Sequence, residues 1–169
     1  MLIYRLLISV LAPLLAIALL IRVLRKQESM RDFAERLGFW KNLPKGKVIW
    51  LHGASNGELT AARAFIDGLA ARHPTKTLLI TCNTLSARAM VHTWGLERAH
   101  VRLAPIDLSR TYRRLISRMD VHGFILFEAD FWPNRLIAAK QCDTSLALIG
   151  GRISDKSAAG WAKFSRISS

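Results

Sequence analysis

The sequence predicts an α/β fold: an open, mostly parallel sheet with helices on both faces, behind an apolar amino-terminal helix. Three observations carry this. Short apolar runs alternate with helical patterns along the chain, the connections between them are short, and the first run ends in a small-residue turn that leads straight into a helix. A strand, a tight turn and a helix in immediate succession form the opening unit of a parallel sheet.

The elements follow in order. Leu6 to Ile21 is uncharged and apolar, broken only by Ser9 and Pro13; extended to Leu2–Leu24, with Arg5 and Arg22 near its ends, it is long enough for a hydrocarbon core of about 30 Å. A cleaved signal peptide is the rival, since Ala16-Ile17-Ala18 resembles a cleavage site, but the apolar run continues past it. A helix lying on the membrane surface is the other. Arg22, Arg25, Lys26 and Arg31 follow the run and only Arg5 precedes it, which places the body of the protein on the cytoplasmic side. Residues 1–26 are therefore read as a transmembrane or membrane-anchor helix, and 27–169 as the domain it holds.

Ser29 to Leu37 reads as a short helix stopped by Gly38, and Trp40 to Gly46 as a loop. Val48 to Leu51 is the first strand. Gly53, Ser55, Asn56 and Gly57 make the turn, and Leu59, Ala62, Phe65, Ile66 and Leu69 set a helical stripe ending near Arg72. Thr77–Cys82 is a second strand, and Thr84 caps a helix running to about Thr93. Ala99–Ala104 is a third strand, after which Asp107 is expected to cap a helix bearing Arg110, Arg113, Arg114 and Arg118 on its exposed face. Val121–Phe127 is the fourth strand, Pro133 sits in the first turn of another helix, and Ser145–Ile149 is the fifth strand. A last helix is expected around Ser154–Ser157.

The net charge is +13, of which only four charges belong to residues 1–26, so the remainder is basic in its own right. That suits an anionic membrane face, a phosphorylated substrate or a nucleic acid. The arginine-rich face is interleaved only by Tyr112, which gives nucleic acid little support. Cys82 and Cys142 have no paired spacing and the five histidines no ligand spacing, so neither a disulfide framework nor a zinc site follows. No GxGxxG, GxxxxGK[ST] or GxSxG segment is present.

Candidate chemistry collects where strands end. His52, Ser55 and Glu58 follow the first strand, at the edge where ligands bind in such sheets. Ser55-x-x-Glu58 is also a capping box, so Glu58 reads either as a cap or as a general base. Glu128 and Asp130 follow the fourth strand; Asp130 reads either as acid–base chemistry or as the cap of the next helix. Gly150-Gly151-Arg152 follows the fifth strand and suits an anion, or is a plain turn.

Taken together, these blocks resemble the Kdo transferases, which add 3-deoxy-D-manno-oct-2-ulosonic acid to lipid A precursors in Gram-negative bacteria. Glu35-Arg36-Leu37-Gly38 resembles the family's ERxG block, and Trp50 through Glu58 its W-[IL]-H-x-A-S-V-G-E block. Thr81-Cys82-Asn83-Thr84 resembles its TxxT turn, Pro105-Ile106-Asp107 its PxD, Glu128 through Asn134 its E-[TS]-E-x-W-P-N block, and Arg152-Ile153-Ser154 with Ser157 its N-[AG]-R-[LI]-S-x-x-S block. The departures are Asn56 for Val, Ala129 for a hydroxyl residue, Asp130 for the second Glu, and Gly150 for Asn.

The resemblance implies a GT-B glycosyltransferase, of which this chain is the Rossmann-like amino-terminal, acceptor-binding half. It implies CMP-Kdo as donor, a lipid A precursor as acceptor, anionic inner-membrane lipid as the surface it works on, no nucleic acid, and neither a cofactor nor a catalytic metal. Glu58 would be the catalytic base of an inverting transfer, with His52, Ser55, Asn56, Gly57, Glu128, Asp130 and Arg152 around the substrate. The donor-binding carboxyl-terminal half is absent from these residues, so the chain alone is expected to be inactive. The alternative is a non-catalytic, membrane-associated remnant that binds lipid A or another anionic ligand.

Overall fold

The computed structural model describes residues 2–128 and 132–150. A 23-residue helix, α1 (Leu2–Leu24), precedes α2 (Met30–Arg36). Then come β1 (Lys47–His52), α3 (Asn56–Ala61), α4 (Arg63–Arg72), β2 (Thr77–Cys82), α5 (Leu85–His92) and β3 (Ala99–Leu103). The described part ends with α6 (Ser109–Ser117), β4 (Asp120–Phe127), α7 (Pro133–Gln141) and β5 (Ser145–Ile149). The five strands form one parallel sheet in the order β3-β2-β1-β4-β5. The expected α/β fold, with its apolar helix in front, is the one observed. The helix expected around Ser154–Ser157 lies outside the described residues.

The strand order explains why β1 matters. The chain adds β2 and β3 on one side of β1, then returns to place β4 and β5 on the other. The reversal opens a crevice at the carboxyl ends of β1 and β4, the topological switch point of such a sheet. Residues Val48–Leu51 of β1 are buried on both faces, as a central parallel strand requires. Trp50 points toward α6 and α7, where its ring lies 5.7 Å from Tyr112, 5.0 Å from Phe124 and 5.4 Å from Trp40. Ile49 and Leu51 point the other way, into a cluster with Leu59, Ile66, Ile80 and Val91.

Two local expectations are revised. The helix expected to run unbroken to Arg72 is divided at Ala62, whose ψ of −4° ends α3 and begins α4. The second concerns Asp107. It does not cap α6, whose N-cap is Leu108 without a side-chain bond. Its carboxylate instead reaches the start of α7, accepting from the backbone N–H of Asn134 and of Arg135, each at 2.9 Å. α7 has Pro133 in its first turn and no cap of its own, so its next two amides need an acceptor from elsewhere. α6 and α7 pack side by side, which brings that acceptor within reach.

Candidate active site

The turn after β1 is fixed by its backbone before any side chain is considered. Gly53 N–H donates to Thr81 O and Asn83 N–H to Ala54 O, tying the ends of β1 and β2 together. A Cβ on Gly53 would sit 2.8 Å from Leu59 Cδ2 and 2.9 Å from Leu59 Cγ, so glycine is required by close approach rather than by its dihedrals. Ser55 is extended (φ −127°, ψ 167°) and starts α3 as its N-cap.

Glu58 stands at the third position of α3 and is half-buried. Its backbone N–H donates to Ser55 Oγ at 3.3 Å. Its carboxylate accepts from Ala54 N–H at 2.6 Å through Oε2, and from Ser55 Oγ at 3.3 Å through Oε1. The capping box is therefore present in a variant form, closing on Ala54 rather than on the backbone of the cap residue itself. The same contacts hold the carboxylate at the switch-point edge, beside the positive end of a helix. Capping and an anionic role are compatible in this geometry.

The neighbours are arranged by further hydrogen bonds. Asn56 is exposed; its Oδ1 accepts from Ser86 Oγ at 3.0 Å and Thr84 Oγ1 at 3.3 Å, joining the starts of α3 and α5. Gly57 is exposed and beside Ser55. Arg36 Nη2 donates to Asn83 O at 3.0 Å while Arg36 Nε and Nη2 grip Glu28, each at 2.9 Å. Because Asn83 in turn holds Ala54, α2 supports the turn that carries Glu58.

His52 was expected to touch substrate, yet it is wholly buried. Its Nδ1 lies 3.0 Å from Thr81 Oγ1, which also accepts from Trp50 Nε1 at 2.9 Å and donates to Leu51 O at 3.3 Å. The Thr81 hydroxyl thus sits between the indole, the imidazole and the Leu51 carbonyl. Here the imidazole joins β1 to β2 beneath the site. Glu128 lies where expected, exposed at the end of β4, in a left-handed backbone conformation (φ 59°) with its N–H donating to Ile149 O at 2.9 Å. Asp130 and Arg152 lie outside the described residues.

Three acidic residues in and just before α2 have structural tasks. Glu28, Asp32 and Glu35 are all buried. Asp32 completes a capping box with Ser29. Burial pushes its carboxyl up, but hydrogen bonds from Ser29 and the charge of Arg88 outweigh this and hold it below the usual value. Glu35 accepts from Leu103 N–H at 3.0 Å and from Arg88 Nη1 at 2.9 Å. The only hint in the sequence was the excess of arginine available to neutralise them.

Comparison with known proteins bears on what this edge serves. The family described as 3-Deoxy-D-manno-octulosonic-acid transferase (kdotransferase) matches residues 31–169. The chain belongs to the Kdo transferase family. A relative named 3-deoxy-D-manno-octulosonic acid transferase, from Rickettsia bellii, is 31% identical over 95% of this chain and 38% of its own length. A protein named probable 3-deoxy-D-manno-octulosonic acid transferase, mitochondrial, from Arabidopsis thaliana is 30% identical over 94% of this chain and 36% of its own. The transferase from Bordetella pertussis is 29% identical over 94% and 39%. The chain thus spans less than two-fifths of the length of these relatives. The parallel sheet and apolar first helix fit membership of that family.

Proposed function

We propose that this chain supplies the acceptor side of a Kdo transfer, in which Kdo passes from CMP-Kdo to a hydroxyl of a lipid A precursor with inversion and without a catalytic metal. The observation that carries the reading is the Glu58 carboxylate, half-exposed at the switch-point edge and fixed through Ala54 and Ser55. In that position it takes the proton from the acceptor hydroxyl as the oxygen attacks the anomeric carbon, and CMP leaves with the bonding electrons. Ser55, Asn56 and Gly57 border the acceptor and Glu128 approaches from β4; Asp130 and Arg152 are assigned to the substrate on the strength of their sequence blocks alone. His52 acts from beneath, by setting the turn. Residues 27–169 form the acceptor-binding half of a GT-B enzyme, held at the cytoplasmic face of the inner membrane by α1.

The relatives are more than twice as long as the part matched, which supports the further reading that these residues do not turn over CMP-Kdo by themselves. The test is Glu58→Gln in a chain completed with a donor-binding half. Glutamine keeps an acceptor oxygen for Ala54 but cannot take a proton, so turnover falls by roughly 10²–10⁴-fold with folding unchanged. Near-normal turnover removes Glu58 from the mechanism. Binding of a lipid A precursor by a completed chain that never turns over CMP-Kdo favours the non-catalytic remnant instead.

A further inference from the structure

α1 is long and apolar enough to cross a membrane, with a mean hydropathy of 2.6 over Leu6–Leu24. From the way its two ends are held, we propose that it does not cross: it lies along one leaflet of an anionic bilayer, with both ends on the side of the α/β domain. This does not depend on the sugar-transfer reading.

The geometry is simple. At about 1.5 Å of rise per residue, Tyr4 and Leu24 are about 30 Å apart along the helix, close to the thickness of a hydrocarbon core. In a spanning arrangement the Leu24 end, which leads into the domain, leaves Tyr4 at the far surface. Tyr4 is not at a distance from the domain. Its hydroxyl donates to Asp107 Oδ2 at 2.8 Å, and Asp107 is a buried residue in the loop between β3 and α6. One turn further on, Ile8 is buried too. At the other end Arg22 Nη2 lies 3.0 Å from Glu28 Oε1, and Glu28 is clamped by Arg36 of α2. Both ends of α1 therefore rest on one body.

Exposure around the helix agrees. Tyr4, Ile8, Ala12, Ala16, Leu19 and Val23 fall on one side at helical spacing and are the less exposed of the described positions. The opposite side presents Leu6, Val10, Leu14, Ile17, Ile21 and Leu24, each between 42% and 74% exposed. An apolar face of that length has no stable place in water. The occupant with matching chemistry is lipid. Exposed Arg22, Arg25, Lys26 and Arg31 cluster at and after the carboxyl-terminal end of the helix, where they meet anionic headgroups while the apolar face enters the acyl region. A second copy fits less well, because it carries the same basic cluster and the same net charge of +13. The Tyr4–Asp107 contact lies at the carboxyl edge of the sheet, so this arrangement brings that edge down to the lipid surface.

The test is the sidedness of the two termini. The full chain, carrying an epitope at each end, is produced in a Gram-negative host. Protease added to spheroplasts is expected to leave both epitopes intact, and protease added to inside-out inner-membrane vesicles to remove both. Loss of the amino-terminal epitope in spheroplasts overturns the proposal, as does recovery of the chain in the soluble fraction after lysis. Neither readout requires activity.

Discussion

Asp107→Ala probes how the two halves of the fold are joined. The Asp107 carboxylate is a buried acceptor for the first free amides of α7 and for the Tyr4 hydroxyl. Loss of a helix cap costs about 0.5–2 kcal/mol. A buried donor left without a partner costs about 1–3 kcal/mol, and alanine leaves two such amides, at Asn134 and Arg135. Part of this is offset. Burial raises the Asp107 carboxyl above its usual value despite the bonds from Tyr4 and Asn134 that lower it, so removing the group also removes a desolvation cost. The net destabilisation is about 2–4 kcal/mol. For a chain of this size that lowers Tm by roughly 4–16 °C. Urea or thermal unfolding of the full chain in detergent, followed by tryptophan fluorescence, to which the buried Trp40 and Trp50 contribute, measures it. Asp107→Asn keeps one acceptor oxygen and should lose about half as much. If alanine costs less than about 0.5 kcal/mol, the link from Asp107 to α7 contributes nothing and the reasoning fails.

Three further outcomes are expected. Gly53→Ala drives a methyl group into Leu59, which is wholly buried, and should cost about 1–3 kcal/mol in the same unfolding assay. The Cys82 thiol is pushed up to about 12, chiefly by burial, so a thiol reagent at neutral pH should modify the half-buried Cys142 first and reach Cys82 only on unfolding. The Asp32 carboxyl lies below its ordinary value of 3.8, since Ser29 and Arg88 outweigh burial. A depressed value gives stability that is present above the ordinary value and lost as pH falls below it. The urea midpoint should therefore drop as the pH is lowered below about 4, and Asp32→Asn should flatten that part of the profile.

The parts of this structure that could be read from the sequence are those decided by neighbours in the chain. The β1 run, the glycine turn and the Ser55–Glu58 spacing are local patterns, and each forms the element expected. Asp107 was misjudged for the opposite reason: a residue two positions before a helix looks like its cap, yet its partners lie 27 and 28 positions further on. Only the packing of α6 against α7 makes that contact possible. Glu35 could not be read as buried because the groups that cover it, Arg88 of α5 and the Leu103 amide of β3, lie 53 and 68 positions further along the chain. His52 is similar. It ends a strand at the expected edge, but whether such a side chain faces solvent or Thr81 depends on what covers it.

The position of Glu35 has a consequence for association. β3 is the outermost strand on its side, and such strands offer unpaired amides to other chains. The Glu35 carboxylate occupies one of these amides, at Leu103, and Arg102 reaches the Lys41 carbonyl alongside. A charged side chain takes the place of a sixth strand there. That border resists fibril-like stacking, and another chain could extend the sheet along it only after prising α2 away.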